Sequence, residues 1–256
     1  MKPIIIASKQ DPAGMNIAEN LQEINPQIKI HYVNCKIINP ENIDKEQKLQ
    51  NYDFFIFASE HSSKENKKTL TVHNLGNWRD AKFGGKEGKI CKASSLFSKH
   101  IFRILKQENT SDFAVSLEVT HHGPYLEKPC IFIEIGSNKT QWTDKKAGKI
   151  IANTIIKAIK TKPKKSIPAI GIGGRHYCHN FNKIQLNSKY ALGHIIPQYA
   201  FPITKEMIQQ AIDKTTEKTK TAILDWKGMK GEERQEVIKL CKQLNLKVLR
   251  TSDIEK

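Results

Sequence analysis

The chain has 256 residues, 38% of them hydrophobic, with 42 Lys and Arg against 26 Asp and Glu and a net charge of +16. That length can bury a full core, and the apolar residues fall into periodic runs, which excludes a disordered chain. No apolar run approaches the roughly 20 residues that cross a bilayer, and the apolar part of "MKPIIIASKQDP" is too short for a secretory signal, so the expectation is a cytoplasmic protein with no membrane association. Five cysteines (Cys35, Cys91, Cys130, Cys178, Cys241) lack C-x-x-C spacing. They form neither a disulfide framework nor a zinc ribbon, so any metal would fall to histidine and carboxylate. The cationic excess favours a polyanionic partner such as nucleic acid.

In chain order, "PIIIAS" reads as a strand and "AGMNIAENLQEI" has helical spacing in Met15, Ile17, Ala18, Leu21 and Ile24. "IKIHYV" and "YDFFIFAS" read as strands. From about 59 to 95 the chain is rich in Gly, Ser, Lys and His, and a loop that long in a compact domain is usually functional. "LFSKHIFRILKQ" resumes helical spacing, followed by the strands "FAVSLEVT" and "PCIFIEIG". "TQWTDKKAGKIIANTIIKAIK" reads as one amphipathic helix, with Thr140 or Thr143 as N-cap. Pro163 then stops it, and "IPAIGIGG" and "YALGHIIPQYAF" are strands. A helix around Lys205 to Lys214, the strand "TAILDW", a helix from Glu232 to Leu244 and the strand "LKVL" complete the chain. This alternation predicts an α/β fold with a mainly parallel or mixed central sheet and helices on both faces, as a single compact catalytic domain over 1–256. In such sheets ligands sit beyond the carboxyl ends of the strands.

The chemistry concentrates at strand ends. His61, His73, His121, His122, His176 and His194 all follow a strand or lie in a Gly/Pro-flanked loop, whereas His31, His100 and His179 look incidental. Several strand ends each delivering a histidine would bring them together, as a catalytic or metal site requires. In "SLEVTHHGPYLEKPCIFIEIG", strand alternation points Glu118, Thr120 and His122 one way and Val119 and His121 the other. Glu118 and Glu134, on neighbouring strands, could orient histidines or bind a metal directly. "IGIGGRHY" lacks the dinucleotide fingerprint, and its Gly173 and Gly174 could present backbone donors to an oxyanion or phosphate beside His176. Asp225 ends a strand as a further ligand or base. With no G-x-S-x-G elbow, these residues predict hydrolysis by activated water of a substrate linked to nucleic acid.

Eight blocks in order, "FASEHSSK", "TLTVHNLGNW", "FGGK", "LEVTHHGP", "FIEIGS", "IGIGGRHY", "ALGHIIPQYA" and "DWKG", resemble the signature of the archaeal and plant-type D-aminoacyl-tRNA deacylases. The resemblance implies a cytosolic, zinc-dependent, monomeric hydrolase that frees tRNA from a D-amino acid by cleaving the ester at the 3′-terminal ribose. It also implies a fold similar to phosphorylases and peptidyl-tRNA hydrolases. No ligand assignment comes with it, so the residue roles rest on side-chain chemistry. His61, His73, His122, His176 and Glu134 are the catalytic candidates. His121, His122, His194, Glu118 and Asp225 are the candidates for holding Zn2+. Lys64, Lys82, Lys86 and Lys227 would grip phosphates of the tRNA acceptor end, with Gly173 and Gly174 beside them, and Trp78 or Tyr177 would stack on the terminal adenine. The alternatives are a metal-independent enzyme like peptidyl-tRNA hydrolase and a non-catalytic basic RNA-binding protein.

Overall fold

A computed structural model describes residues 1–254. Its elements in order are β1 (Pro3–Ser8), α1 (Pro12–Ile24), β2 (Ile30–Val33), β3 (Phe54–Ser62), β4 (Thr69–His73), α2 (Ser95–Glu108), β5 (Ala114–Leu117), β6 (Cys130–Ser137), α3 (Lys139–Trp142) and α4 (Lys145–Lys160). There follow β7 (Ile167–Gly174), α5 (His179–Asn187), β8 (Tyr190–Pro197), α6 (Lys205–Asp213), β9 (Thr221–Leu224), α7 (Gly231–Gln243), β10 (Lys247–Arg250) and α8 (Thr251–Ile254). The α/β expectation holds, but the strands divide between two sheets. Six form a mixed sheet in the order β2-β1-β3-β6-β4-β5, and four form a parallel one in the order β10-β9-β7-β8.

The two faces of the larger sheet differ because its strands alternate in composition. Ile5, Phe54, Ile56, Ala58, Ile131, Ile133, Ile135, Leu70 and Val72 point to one side and join residues of α1, α2 and α4 in the main core. The other side begins apolar, with Ile4, Ile6, Phe55, Phe57 and Phe132 packed under loop residues such as Ile43, Leu75 and Leu126. It then turns polar. Ser59 pairs with Glu134, Glu134 with Thr71, and Thr71 with Ser116, while His61, His73 and Glu118 each follow two positions further along their chains. Since residues two apart share a face, this register lays a polar stripe across four neighbouring chains. The smaller sheet has helices on both faces. Ala169, Leu192, Ile195 and Ile223 belong to the main core with α2 and α5, whereas Ile170, Ile172, Ala222 and Leu224 pack with α6 and α7.

Lys99 on α2 reaches the second sheet with its Nζ, which donates to the carbonyls of Ser188 and Tyr190 at 2.6 Å each. Lys99→Met keeps the stem but leaves two carbonyls without their donor, so we expect a loss of about 2 kcal/mol, a fall of about 5 °C in Tm. Thermal denaturation checks this, and an unchanged Tm would show that water replaces the ammonium.

Three local expectations need correcting. The 59–95 segment is not all loop: β3 extends to Ser62, and Thr69–His73 is a buried strand between β6 and β5. Three of its five residues are threonine or histidine, so it carries no apolar run. The single helix expected from Thr140 onward is two, α3 capped by Asn138 and α4 capped by Asp144, whose side chain accepts from Ala147 N. A better N-cap than either threonine thus stood inside the run. Finally, β5 stops at Leu117, so the alternation drawn through Glu118 to His122 has no strand to carry it.

Candidate active site

β3 ends on His61 and Ser62, β4 ends on His73, and Glu118 lies just past β5. Because β4 runs antiparallel to β6, its terminal histidine stands opposite Phe132, next to the middle of β6 rather than at the common rim of strand ends. There it meets Glu134. The turn after Glu118 supplies the rest. His121 forms an isolated bridge to Leu75, and His122 takes a left-handed backbone (φ +40°), so both rings enter the same space despite being sequence neighbours. The turn closes on Gly123, where a Cβ would come within 2.1 Å of Gly85 N. His176 arrives from the turn after β7, which pairs with the edge of the larger sheet through the bridge from Glu118 to Tyr177.

Five imidazoles and two buried carboxylates therefore converge. Ring centroids of His73 lie 4.2 Å from those of His121 and 4.7 Å from His122, and His121 lies 4.7 Å from His176. Glu118 Oε1 is 3.2 Å from His61 Nδ1, and its Oε2 is 3.5 Å from His121 Nε2 and 3.4 Å from His176 Nε2. Glu134 is 3.6 Å from His61 Nδ1 and 3.5 Å from His73 Nε2, and it accepts a bond from Thr71 Oγ1 at 3.1 Å. His61 Nε2 faces the Tyr177 hydroxyl at 2.8 Å.

The charges sort within this cluster. Burial raises Glu134, but His73 and then His61 outweigh it and hold its carboxyl well below the usual range. Burial likewise lowers His61 and His73, and the carboxylates overcome it, pushing His61 up to about 9 and raising His73. The other imidazoles stay neutral. Burial and then His73 lower His121 far below its ordinary value and His122 to about 3, and burial followed by His61 takes His176 to about 4. Glu118 is raised by burial to about 7.

The residues fit a metal ion. The Nδ1 atoms of His73, His121 and His122 face the carbonyls of Asn74, Val119 and Gly123 at 3.1, 2.9 and 2.7 Å. A carbonyl only accepts, so Nδ1 carries the proton and Nε2 of each ring offers a lone pair. Among the described residues, His73 Nε2 and both oxygens of Glu118 are buried and form no hydrogen bond. One ligand atom from each of His73, His121 and His122 falls within 4.8 Å of the others, as do atoms of His61, Glu118 and His176, and of His73, Glu118 and Glu134. Nitrogen and carboxylate donors of this kind suit zinc.

The cluster opens into a cleft of about 520 Å³. Beyond the histidines and Glu134 it is lined by Gln10, Asp11, Lys36, Ser59, Glu60 and Ser62, with Ile37, Ile38 and Phe83 as an apolar wall. Sequence reasoning missed this half. Asp11 reads as an ordinary helix cap, and it is one, accepting from Gly14 N at 2.7 Å; yet it also accepts from Glu60 N and Ser59 Oγ. Burial raises Asp11 to about 6, and burial followed by Asp11 raises Glu60 to about 7. The signal available was position, since Asp11 follows β1 and Glu60 lies near the carboxyl end of β3, beside the site.

Other candidates lie elsewhere. His194 is fully buried, its Nδ1 by Thr120 Oγ1 and its Nε2 by the Cys91 carbonyl, so both nitrogens are spoken for outside the cluster. Asp225 accepts from Asn180 Nδ2 in a separate groove. Trp78 is 7% exposed and donates to the Thr120 carbonyl, which leaves no face for a base. Gly173 (φ +97°) and Gly174 pack against Met229 and Phe181 and do not line the cleft. Lys82 pairs with Asp80, Lys86 sits over the Tyr125 ring, and Lys64 is exposed in the turn between β3 and β4. Lys227 lines the groove that holds Asp225.

Residues 48–249 match the family described as D-aminoacyl-tRNA deacylase. The chain is 36% identical to the D-aminoacyl-tRNA deacylase of Pyrococcus furiosus, over 96% of this chain and 99% of the relative. It is 34% identical to that of Methanocaldococcus jannaschii, over 93% and 95%. A crystal structure described as a conserved protein of unknown function superposes with a TM-score of 0.92 at 28% identity, covering 99% of this chain and 96% of the other. No described helix is long and apolar enough to cross a membrane. With a matched segment that spans every histidine and carboxylate of the cluster, the chain belongs to the D-aminoacyl-tRNA deacylase family.

Proposed function

We propose that the protein hydrolyses the ester between a D-amino acid and the 3′-terminal ribose of tRNA in this cleft, releasing both. The observation that carries the reading is the convergence of five imidazoles and two buried carboxylates on a cavity with room for an aminoacyl group. The cleft is chemically divided to match such a group. The apolar wall of Ile37, Ile38 and Phe83 suits the amino-acid side chain, and Glu60, backed by Asp11, suits an α-ammonium. An acidic end of this kind favours a free amine over the blocked one of a peptidyl-tRNA.

Within the cluster the proposed roles follow charge state. His73, His121 and His122 would hold zinc through Nε2, with Glu134 on the same Nε2 side of His73 and the Asn74 carbonyl behind the ring. When bound, zinc supplies Lewis acidity to polarise the ester and acidify water. Glu118 takes a proton from the attacking water as the new C–O bond forms. His61, cationic between its two carboxylates, stabilises the developing oxyanion and returns a proton from Nε2, beside the Tyr177 hydroxyl, to the leaving ribose oxygen. The protein is proposed to act as a cytoplasmic monomer.

The test compares D- and L-tyrosyl-tRNA as substrates of the purified protein. We expect the D-ester to be cleaved with a kcat/KM larger by at least about a hundredfold. Equal turnover would remove the chirality claim, and no turnover of either would remove the deacylase reading.

A further inference from the structure

The catalytic cleft is a poor place for a phosphodiester, because its carboxylates Asp11, Glu60 and Glu134 outnumber the cations Lys36 and His61. A second groove of about 510 Å³ lies across the turn after β7. It is lined by Arg175, Tyr177, His179, Asn180, Lys227 and Lys230, with Asp225 the one carboxylate. That carboxylate already accepts from Asn180 Nδ2 at 2.8 Å. Arg175, Lys227 and Lys230 are exposed, and their side-chain cations form no ion pair among the described residues.

The two cavities touch. His176 lines the first and Tyr177 the second, and the Tyr177 hydroxyl stands 2.8 Å from His61 Nε2 inside the catalytic cluster. One tyrosine ring thus spans the divide between the reaction chamber and a cationic trough. We propose that this groove is the subsite for the sugar-phosphate chain immediately preceding the esterified ribose, so that single-stranded RNA lies along Arg175, Lys227 and Lys230 while the aminoacyl group enters the cleft. Tyr177 and His179 supply ring faces for its bases. The ligand class is the phosphodiester backbone of a single-stranded 3′ end. The assignment rests on the deacylase reading for which RNA arrives, but not for where it lies.

The test uses the full chain and the triple variant R175A/K227A/K230A, with two readouts. In the first, hydrolysis of D-tyrosyl-tRNA is compared with that of D-tyrosyl-adenosine, which has the ester but no phosphodiester. We expect KM for the tRNA to rise at least about tenfold with kcat little changed, while kcat/KM for the adenosine ester stays within about threefold. The salt dependence of tRNA binding should weaken by about 2 in log K against log salt, from three lost contacts to a single strand. In the second, fluorescence anisotropy follows a labelled single-stranded RNA ending in CCA, uncharged, with K64A/K82A/K86A as a control of equal charge loss. We expect at least tenfold weaker binding for the groove variant only. Equal weakening in both variants would reduce the effect to net charge and overturn the proposal, as would an unchanged tRNA KM. If the wild-type protein cleaves neither ester, the deacylase reading fails while RNA binding still decides the groove.

Discussion

Glu134→Gln is expected to lower kcat by roughly 10²–10⁴-fold while leaving the protein folded. Glu134 is the one carboxylate that addresses both cationic imidazoles, His61 and His73, and it is 2% exposed with Thr71 as its remaining partner. An amide keeps the shape and accepts through its oxygen, but it has no charge with which to hold two imidazolium rings. His61 and His73 would then lose the influence that offsets their burial and drop toward neutrality. A neutral His61 cannot supply the proton that the leaving oxygen needs. Removing the charge beside a catalytic histidine without disturbing its geometry costs up to about 10⁴ in kcat. Single-turnover hydrolysis of D-tyrosyl-tRNA measures the effect, and a Tm within a few degrees of wild type separates lost chemistry from lost structure. A kcat within threefold of wild type would sink the assignment of roles.

How far this arrangement was legible in the sequence depends on the kind of signal. The strands β1, β3, β6, β7 and β8 carry apolar runs, and helices α1, α2 and α6 carry clear apolar spacing, so their existence follows from side chains alone. The polar residues that interrupt the strands were legible as chemistry for the same reason: a glutamate inside "CIFIEIG" has to meet something. Two things were not legible. The first is pairing direction. Nothing in "TLTVH" says that it lies antiparallel to β6, yet that direction moves His73 from the rim to the side of Glu134. The second is the turn at His121 and His122. Strand alternation puts them on opposite faces, and only the left-handed backbone of His122 and the close contact of Gly123 with Gly85 bring both rings inward. His194 shows the converse. It shares the Gly-flanked setting of the other histidines, but the Thr120 hydroxyl and the Cys91 carbonyl satisfy both its nitrogens.

Stripping the protein with a chelator is expected to lower D-tyrosyl-tRNA hydrolysis by at least about a hundredfold and to be reversed by zinc. Burying a polar atom without a hydrogen bond costs on the order of 1–3 kcal/mol, and among the described residues His73 Nε2 and both oxygens of Glu118 make none within one cluster, facing only ring nitrogens or a carboxylate at 3.2–3.5 Å. Chance would not gather them beside three rings whose Nδ1 protons are each fixed on a carbonyl. A cation relieves every one of these at once and displaces the proton that His73 otherwise holds against Glu134. Binding should therefore stabilise the fold as well as the reaction. Zinc at a hundred times its Kd contributes about 2.7 kcal/mol, which for a chain of this length shifts Tm by roughly 5–10 °C. That shift is readable by calorimetry with no substrate present, and His121→Ala, which removes a ligand, should abolish it together with the bound metal. Full activity in chelator, with no zinc-dependent change in Tm, would instead assign the hydrolysis to the neutral imidazoles of His121, His122 and His176 acting directly on water.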